Sequence, residues 1–250
     1  MKIIACIKRV PATDAQAKID ASATSLDTSS LQYMTSFYDE IAVEEAVKTK
    51  ESLGGEVTVL TLGPSAASKE VRECIAKGAD AGVILIDDDW QSRDCRSTAK
   101  ALAEKIGELG ADLVFCGKVA TDRDNAAVGP MLATYLGWSC VTDACELELD
   151  GTTGTAKRAT EAGLESVSFS LPAVITCDKG LNEPRYAGLK GIMAAKKKPL
   201  DEAAPLAAES HAKVVSLENP APRPEGKIIG EGAAAVDDLI QALRNEAKVL

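Results

Sequence analysis

Histidine is nearly missing from this chain: among 250 residues there is one, His211. It sits in a stretch containing proline, away from any pocket-forming pattern, and reads as a solvated surface residue rather than a general base. No Ser-His-Asp set can be assembled around it. Aromatic residues supply only 4 % of the chain, against 46 % hydrophobic residues in all. A core must therefore be built from Ala, Val, Ile and Leu, which suits packed α/β layers. Basic residues are outnumbered, and the net charge of -10 makes the chain a poor ligand for nucleic acid or an anionic bilayer. The seven cysteines (Cys6, Cys74, Cys95, Cys116, Cys140, Cys145 and Cys177) are odd in number and contain no CxxC pair. Neither a disulfide framework nor a zinc site is expected, and reduced core thiols are. No apolar run approaches the roughly 20 residues that span a bilayer. The start MKIIACIKRV is too short and too soon charged for a signal peptide, so a cytoplasmic protein is expected. The acidic run Asp87-Asp88-Asp89 reads as the end of a strand rather than a metal site.

What the chain does have is rhythm. KIIACI at residues 2–7 is a β-branched apolar run, read as a buried strand. Residues 11–38 are polar and predict a loop or short hairpin. EIAVEEAVKTKESLGG places Ile41, Ala42, Ala46 and Val47 at helical spacing, with Gly54-Gly55 as the stop. A strand over EVTVLTLG, a helix over 65–77, a strand over GVILI, a helix over 92–109, a strand over ADLVFCG and a helix over 124–136 follow with short links. Such alternation predicts a parallel sheet sandwiched by helices. Beyond Gly137 the pattern changes to period two as far as Ser170, the mark of an appended antiparallel hairpin, and LPAVITC is a further buried strand. Residues 201–232 read as an extended arm, and VDDLIQALRNEAKVL as an amphipathic helix with Val236, Leu239, Ile240 and Leu243 on one face.

In an open α/β sheet ligands bind beyond the carboxyl ends of the strands. The loops after Ile7, Leu62, Ile86 and Cys116 are the candidates. The last, GKVATDRDNAAVG, enters a helix and can offer free N–H groups to a phosphate, so a nucleotide can be held without a basic patch. An ordinary strand–turn–helix with Asp residues capping the helix is the alternative. There is no GxGxxG and no GxxxxGK[ST]. A carrier or binding role is left once hydrolase and metalloenzyme chemistry is set aside.

The long segment LPAVITCDKGLNEPRYAGLKGIMAAKKK, with CIKRV, YDEIAVEEAVK and FCGKVATDRDNAAVG, resembles the β subunits of electron transfer flavoproteins. That resemblance implies an adenine-nucleotide α-hydrolase-like (Rossmann-like) fold over residues 1–200. It implies a partner-recognition loop at about 182–198, and an arm and helix over 201–250 that pack on an α subunit carrying the redox-active FAD. It implies an AMP in this chain, contacted by Cys6, by Ser36, Phe37, Tyr38 and Asp39, and by Leu62. The loop Gly117, Lys118, Val119, Ala120, Thr121, Asp122, Arg123, Asp124, Asn125, Ala126, Ala127 and Val128 completes the implied site. Ser36-Phe37 replaces the family's Asn-Pro, and Ala126-Ala127-Val128 replaces side chains that bond the phosphate in AMP-binding members. The ending AVGP is similar to that of electron-bifurcating relatives, which hold a second FAD in place of AMP and oxidise NADH. By the same resemblance Glu165 reaches towards the flavin region, while Leu189, with Lys196, Lys197 and Lys198, docks partner dehydrogenases such as acyl-CoA dehydrogenases. The implied role is electron transfer from these dehydrogenases, in fatty acid oxidation, through FAD to a quinone reductase.

Overall fold

The computed structural model describes residues 1–29, 31–223 and 225–250. In chain order its elements are β1 (Lys2–Cys6), β2 (Arg9–Pro11), β3 (Tyr33–Thr35), α1 (Phe37–Leu53), β4 (Glu56–Gly63), α2 (Ser68–Ala76), β5 (Ala81–Ile86), α3 (Cys95–Leu109) and β6 (Leu113–Gly117). There follow α4 (Val128–Leu136), β7 (Ser139–Leu149), β8 (Thr153–Thr160), β9 (Gly163–Ser170), β10 (Ala173–Cys177), α5 (Leu189–Ala195), β11 (Leu200–Ala203) and α6 (Val236–Asn245).

The main sheet has the order β11-β5-β4-β1-β6-β10-β7-β8-β9. From β11 to β7 every pairing is parallel; β7, β8 and β9 pair antiparallel, so the segment expected as one appended hairpin is a run of three antiparallel strands, the first of which also joins the parallel sheet. The continuous apolar strands are explained by their two covered faces. Along β1, Ile3, Ala5 and Ile7 join one core cluster with Ile41, Ala46 and Val71 from α1 and α2. Ile4 and Cys6 point the other way, into a cluster with Leu102, Ile106 and Leu132 from α3 and α4. β6 repeats the alternation, with Leu113 and Phe115 on the first face and Val114 and Cys116 on the second.

The chain leaves β1 towards β4 and β5, then α3 carries it back to lay β6 on the other side of β1. Neighbouring strands β1 and β6 are thus followed by connections running in opposite directions, which opens a crevice at their carboxyl ends.

Four elements differ from the sequence reading. The polar stretch is closed by a two-stranded ladder, Arg9–Pro11 against Tyr33–Thr35, which starts two residues before it. The helix expected from residue 124 starts at Val128, because Asp124 (φ 54°) and Ala126 (φ 51°) are left-handed and cannot continue a right-handed helix. The helix expected from 92 starts at Cys95, where Asp94 caps it by accepting from the Ser97 N–H at 2.7 Å. Finally, residues 201–203, expected to begin the arm, extend the sheet as β11 along β5. That edge of β5 carries Gly82, whose missing side chain leaves room for Leu200.

Met1–Ser216 and Leu217–Leu250 form two compact units. In the second, α6 leaves Val236 49 % and Leu239 44 % exposed. Among the described residues no helix is long and apolar enough to cross a membrane. Cys6, Cys74, Cys116 and Cys177 are buried, as expected of core thiols; Cys140 is exposed. Burial raises the Cys74 thiol to about 12, which keeps it protonated and inert.

Candidate functional site

The crevice at the ends of β1 and β6 is a partly open cleft, the kind of place where small molecules bind on such sheets. Cys6, Ile7 and Cys116 form its floor, and Leu62, at the end of β4, and Leu102, from α3, supply apolar wall. Gly117, Lys118, Val119 and Ala120 line it where β6 ends, and Arg123, Asn125, Ala126, Ala127, Val128 and Gly129 where α4 begins.

Asp39 ties this frame together from the first turn of α1. It is 6 % exposed. Its Oδ2 accepts from the Lys8 N–H at 2.7 Å and its Oδ1 from the Gly117 N–H at 2.9 Å. One carboxyl thus holds the ends of both strands that flank the crevice. Burial pushes it up to about 7, against the two N–H donors that pull it down. Gly117 is as small as it must be: a Cβ there would lie 2.5 Å from Asp39 Oδ1 and 2.8 Å from the Asp39 backbone nitrogen.

The loop into α4 carries the main chemical feature. The N–H groups of Asn125, Ala126, Ala127, Val128 and Gly129 have no acceptor among the described residues; the first bond of this turn is Met131 N–H to the Ala127 carbonyl, at 3.1 Å. Unpaired N–H groups at a helix start, with the positive end of the helix behind them, favour an anion. The start of α3, on the same cleft, is occupied already. Burial would raise the Asp94 carboxyl, but bonds from the Ser97 and His211 N–H groups bring it down to about 2, so a carboxylate sits there. His211 itself is exposed and contributes only its backbone.

The basic side chains around the cleft are engaged within the chain. Lys8 Nζ pairs with Asp122 at 2.7 Å, Arg93 with Asp87 at 2.5 Å and Lys118 with Asp178 at 2.9 Å. Asp87, first of the acidic run, is thereby spent on Arg93. Arg123 bonds only to backbone carbonyls, so an anion here meets the main chain and the charge of that one guanidinium.

Other residues named from sequence lie elsewhere. Ser36, Thr121, Asp122 and Asp124 support the loop without lining the cleft: Ser36 Oγ accepts from the Thr121 N–H at 3.3 Å. Phe37 and Tyr38 meet edge to face, with ring centres 5.3 Å apart, beneath the amines of Lys118 and Lys179, outside the cleft. Glu165 lies on β9 opposite Arg158, at 3.7 Å, and is exposed. Leu189 is 78 % exposed at the start of α5, beside exposed Tyr186, Ile192 and Met193. Its loop is anchored on α1: Arg185 bonds Glu44 and Glu51, and the Asn182 amide bonds Glu45 at 2.8 Å. Lys196 and Lys197 are exposed, whereas Lys198 donates to the Ala79 carbonyl at 2.6 Å and so serves the fold.

The sequence reading missed Lys8, Trp90, Arg93, Asp94, Cys95 and Thr98 as cleft residues. The loop after Ile86 was a candidate strand end, and Trp90, one of two tryptophans, stands four residues along it. An aromatic residue in a loop at a strand's carboxyl end was the available signal.

A model of the electron transfer flavoprotein domain matches residues 25–208. Over its whole length the chain is similar to electron transfer flavoprotein subunit beta of Bacillus subtilis (strain 168), 36 % identical over 259 residues, with 100 % of both proteins covered. It is also 36 % identical over 255 residues to the Bradyrhizobium diazoefficiens protein of that name, again with 100 % of both covered. The mitochondrial electron transfer flavoprotein subunit beta of Oryza sativa subsp. japonica is 36 % identical over 257 residues, with the same coverage. A doubly covered parallel sheet with a cleft at its switch point and full-length similarity agree: the chain belongs to the electron transfer flavoprotein family, as a β subunit.

Proposed function

We propose that this chain holds one AMP in the cleft, joins an α subunit to form a flavoprotein heterodimer, and presents the Leu189 loop to dehydrogenases. The observation that carries the nucleotide reading is the run of unpaired N–H groups from Asn125 to Gly129. They supply what a phosphate needs although Ala126, Ala127 and Val128 offer no polar side chain. One such run suits the single phosphate of AMP better than the diphosphate of a second FAD, and of the cations on the cleft Lys8, Arg93 and Lys118 are already paired with carboxylates. The apolar floor at Cys6 and Ile7, with Leu62 on the wall, suits an adenine.

FAD, held mainly by the α subunit, supplies the electron-accepting chemistry when bound. This chain's residues bind and orient around it: Glu165, exposed on β9, is the carboxylate offered to the flavin region, and the exposed apolar residues of α6 are offered to the α subunit. Electrons pass from dehydrogenases such as acyl-CoA dehydrogenases through the flavin towards a quinone reductase. Acid release of ligands from the co-purified heterodimer tests the assignment: one FAD and one AMP are expected, and two FAD with no AMP would replace it with a bifurcating subunit.

An exposed leucine on an anchored turn can fill a partner pocket as a hot spot. Leu189→Ala is therefore expected to slow electron transfer from a dehydrogenase about tenfold or more. Flavin and AMP content should not change. Loss of flavin in this variant would make Leu189 a structural residue instead.

A further inference from the structure

Two of the loops that line the cleft are bonded to each other. The turn from Asp87 to Asp94 follows β5 and carries Trp90, which lines the cleft. It is stitched internally: the Asp89 N–H donates to Asp87 Oδ1 at 2.9 Å, and Ser92 Oγ donates to Asp89 Oδ2 at 2.6 Å. The second loop runs from Lys118 into α4 and carries the unpaired N–H groups.

Arg123 joins them. Its Nη2 donates to the Gln91 carbonyl at 2.7 Å and its Nη1 reaches the Arg93 carbonyl at 3.5 Å. A second link lies beside it, from Asn125 Nδ2 to Cys95 Sγ at 3.2 Å. The planar guanidinium is suited to this, because two donors on one rigid fork fix direction as well as distance. Arg123 also continues a chain of contacts: its neighbour Asp122 pairs with Lys8, whose own N–H is held by Asp39. The Trp90 turn, the end of β1 and α1 are thus connected through Arg123, Asp122, Lys8 and Asp39.

We propose that Arg123 is a positioning residue that clasps the Trp90 turn to the phosphate-binding loop, and that Trp90 is thereby a nucleotide-contacting residue of this cleft. This rests on the nucleotide reading given above. The indole offers a flat apolar surface where base or ribose can lie, and aromatic stacking on a base is sequence-independent and substantial. The clasp makes nucleotide release depend on opening two loops together.

The test uses the heterodimer of full-length chains, loaded with radiolabelled AMP and chased with unlabelled AMP. Arg123→Gln, which keeps a polar side chain but loses the fork, is expected to release AMP about tenfold faster, as is Trp90→Ala. If Arg123 acts by seating Trp90, the double variant releases no faster than Trp90→Ala alone. Hydrogen–deuterium exchange over residues 87–94, followed in the same variants, should rise in Arg123→Gln. Release rates and amide exchange both unchanged in Arg123→Gln overturn the clasp; multiplied effects in the double variant overturn the role of Trp90. Wild-type protein that retains no nucleotide overturns the nucleotide reading instead, with the role of Trp90; amide exchange over 87–94 then decides the clasp by itself.

Discussion

Gly117→Ala is expected to destabilise the protein by about 3 kcal/mol and to empty the cleft, because an added methyl has nowhere to go. Its Cβ would stand 2.5 Å from Asp39 Oδ1 and 2.8 Å from both the Asp39 nitrogen and the Tyr38 carbonyl carbon. Two of these atoms are backbone of the first turn of α1, so no rotamer change relieves the contact. The turn must retreat, and the Asp39 bond to the Gly117 N–H is lost with it. A buried N–H left unpaired adds a further cost of about 1–3 kcal/mol. The displaced segment is the start of the loop that binds phosphate, so AMP content falls with stability. Gly107→Ala is the matched control. Gly107 lies on α3 with nothing within 4 Å of an added Cβ, and the change there should stabilise by about 0.5–1 kcal/mol. Urea unfolding of both variants, with AMP counted in each, checks the pair. A Gly117→Ala protein as stable as wild type and fully loaded would mean that the strand end yields more easily than its backbone contacts imply.

How much of this was readable beforehand differs between the frame and the site. Strands β1, β4, β5, β6 and β10 declare themselves as continuous apolar runs, because both faces of a parallel sheet are covered. Helices α1 and α3 declare themselves by spacing and by their terminal glycines. The start of α4 does not. DRDNAAVGPM reads as helix-compatible, and only the left-handed Asp124 and Ala126 show that the helix is delayed. That delay produces the unpaired N–H groups, so the most functional part of the loop is the part local propensity predicts worst. Trp90 escaped for another reason. Its place on the cleft depends on a turn held internally by Arg93–Asp87 and from outside by Arg123, 32 residues from its partner Gln91. Asp39 was named as a nucleotide contact through a resemblance. It does line the cleft, and it is also a clamp between strands, a role that needs the register of β1 and β6 and is invisible in the local sequence.

That clamp gives the second large effect, a pH dependence carried by a single residue. In the folded chain the Asp39 carboxyl titrates at about 7, against 3.8 for its ordinary value. Between these values the folded state keeps a proton that the unfolded state has released. Stability therefore falls as pH rises through this window and levels off above it. The burial of Asp39 makes its contribution to the fall about 2–3 kcal/mol between pH 5 and pH 8. Asp39→Asn removes the titration, so the stability difference between wild type and variant isolates it from the other carboxylates. Wild type should lose ground to Asp39→Asn as pH rises, in urea unfolding at several pH values. The variant sacrifices one acceptor facing Lys8 or Gly117, so it should be the less stable protein at pH 5. A difference that moves in favour of wild type at high pH would mean that the two N–H donors outweigh burial and stabilise the anion. Asp39 also lines the cleft, so a phosphate placed there is a like charge that favours the protonated carboxyl. By linkage, AMP should bind more weakly as pH rises past about 7 in wild type, and Asp39→Asn should flatten that dependence.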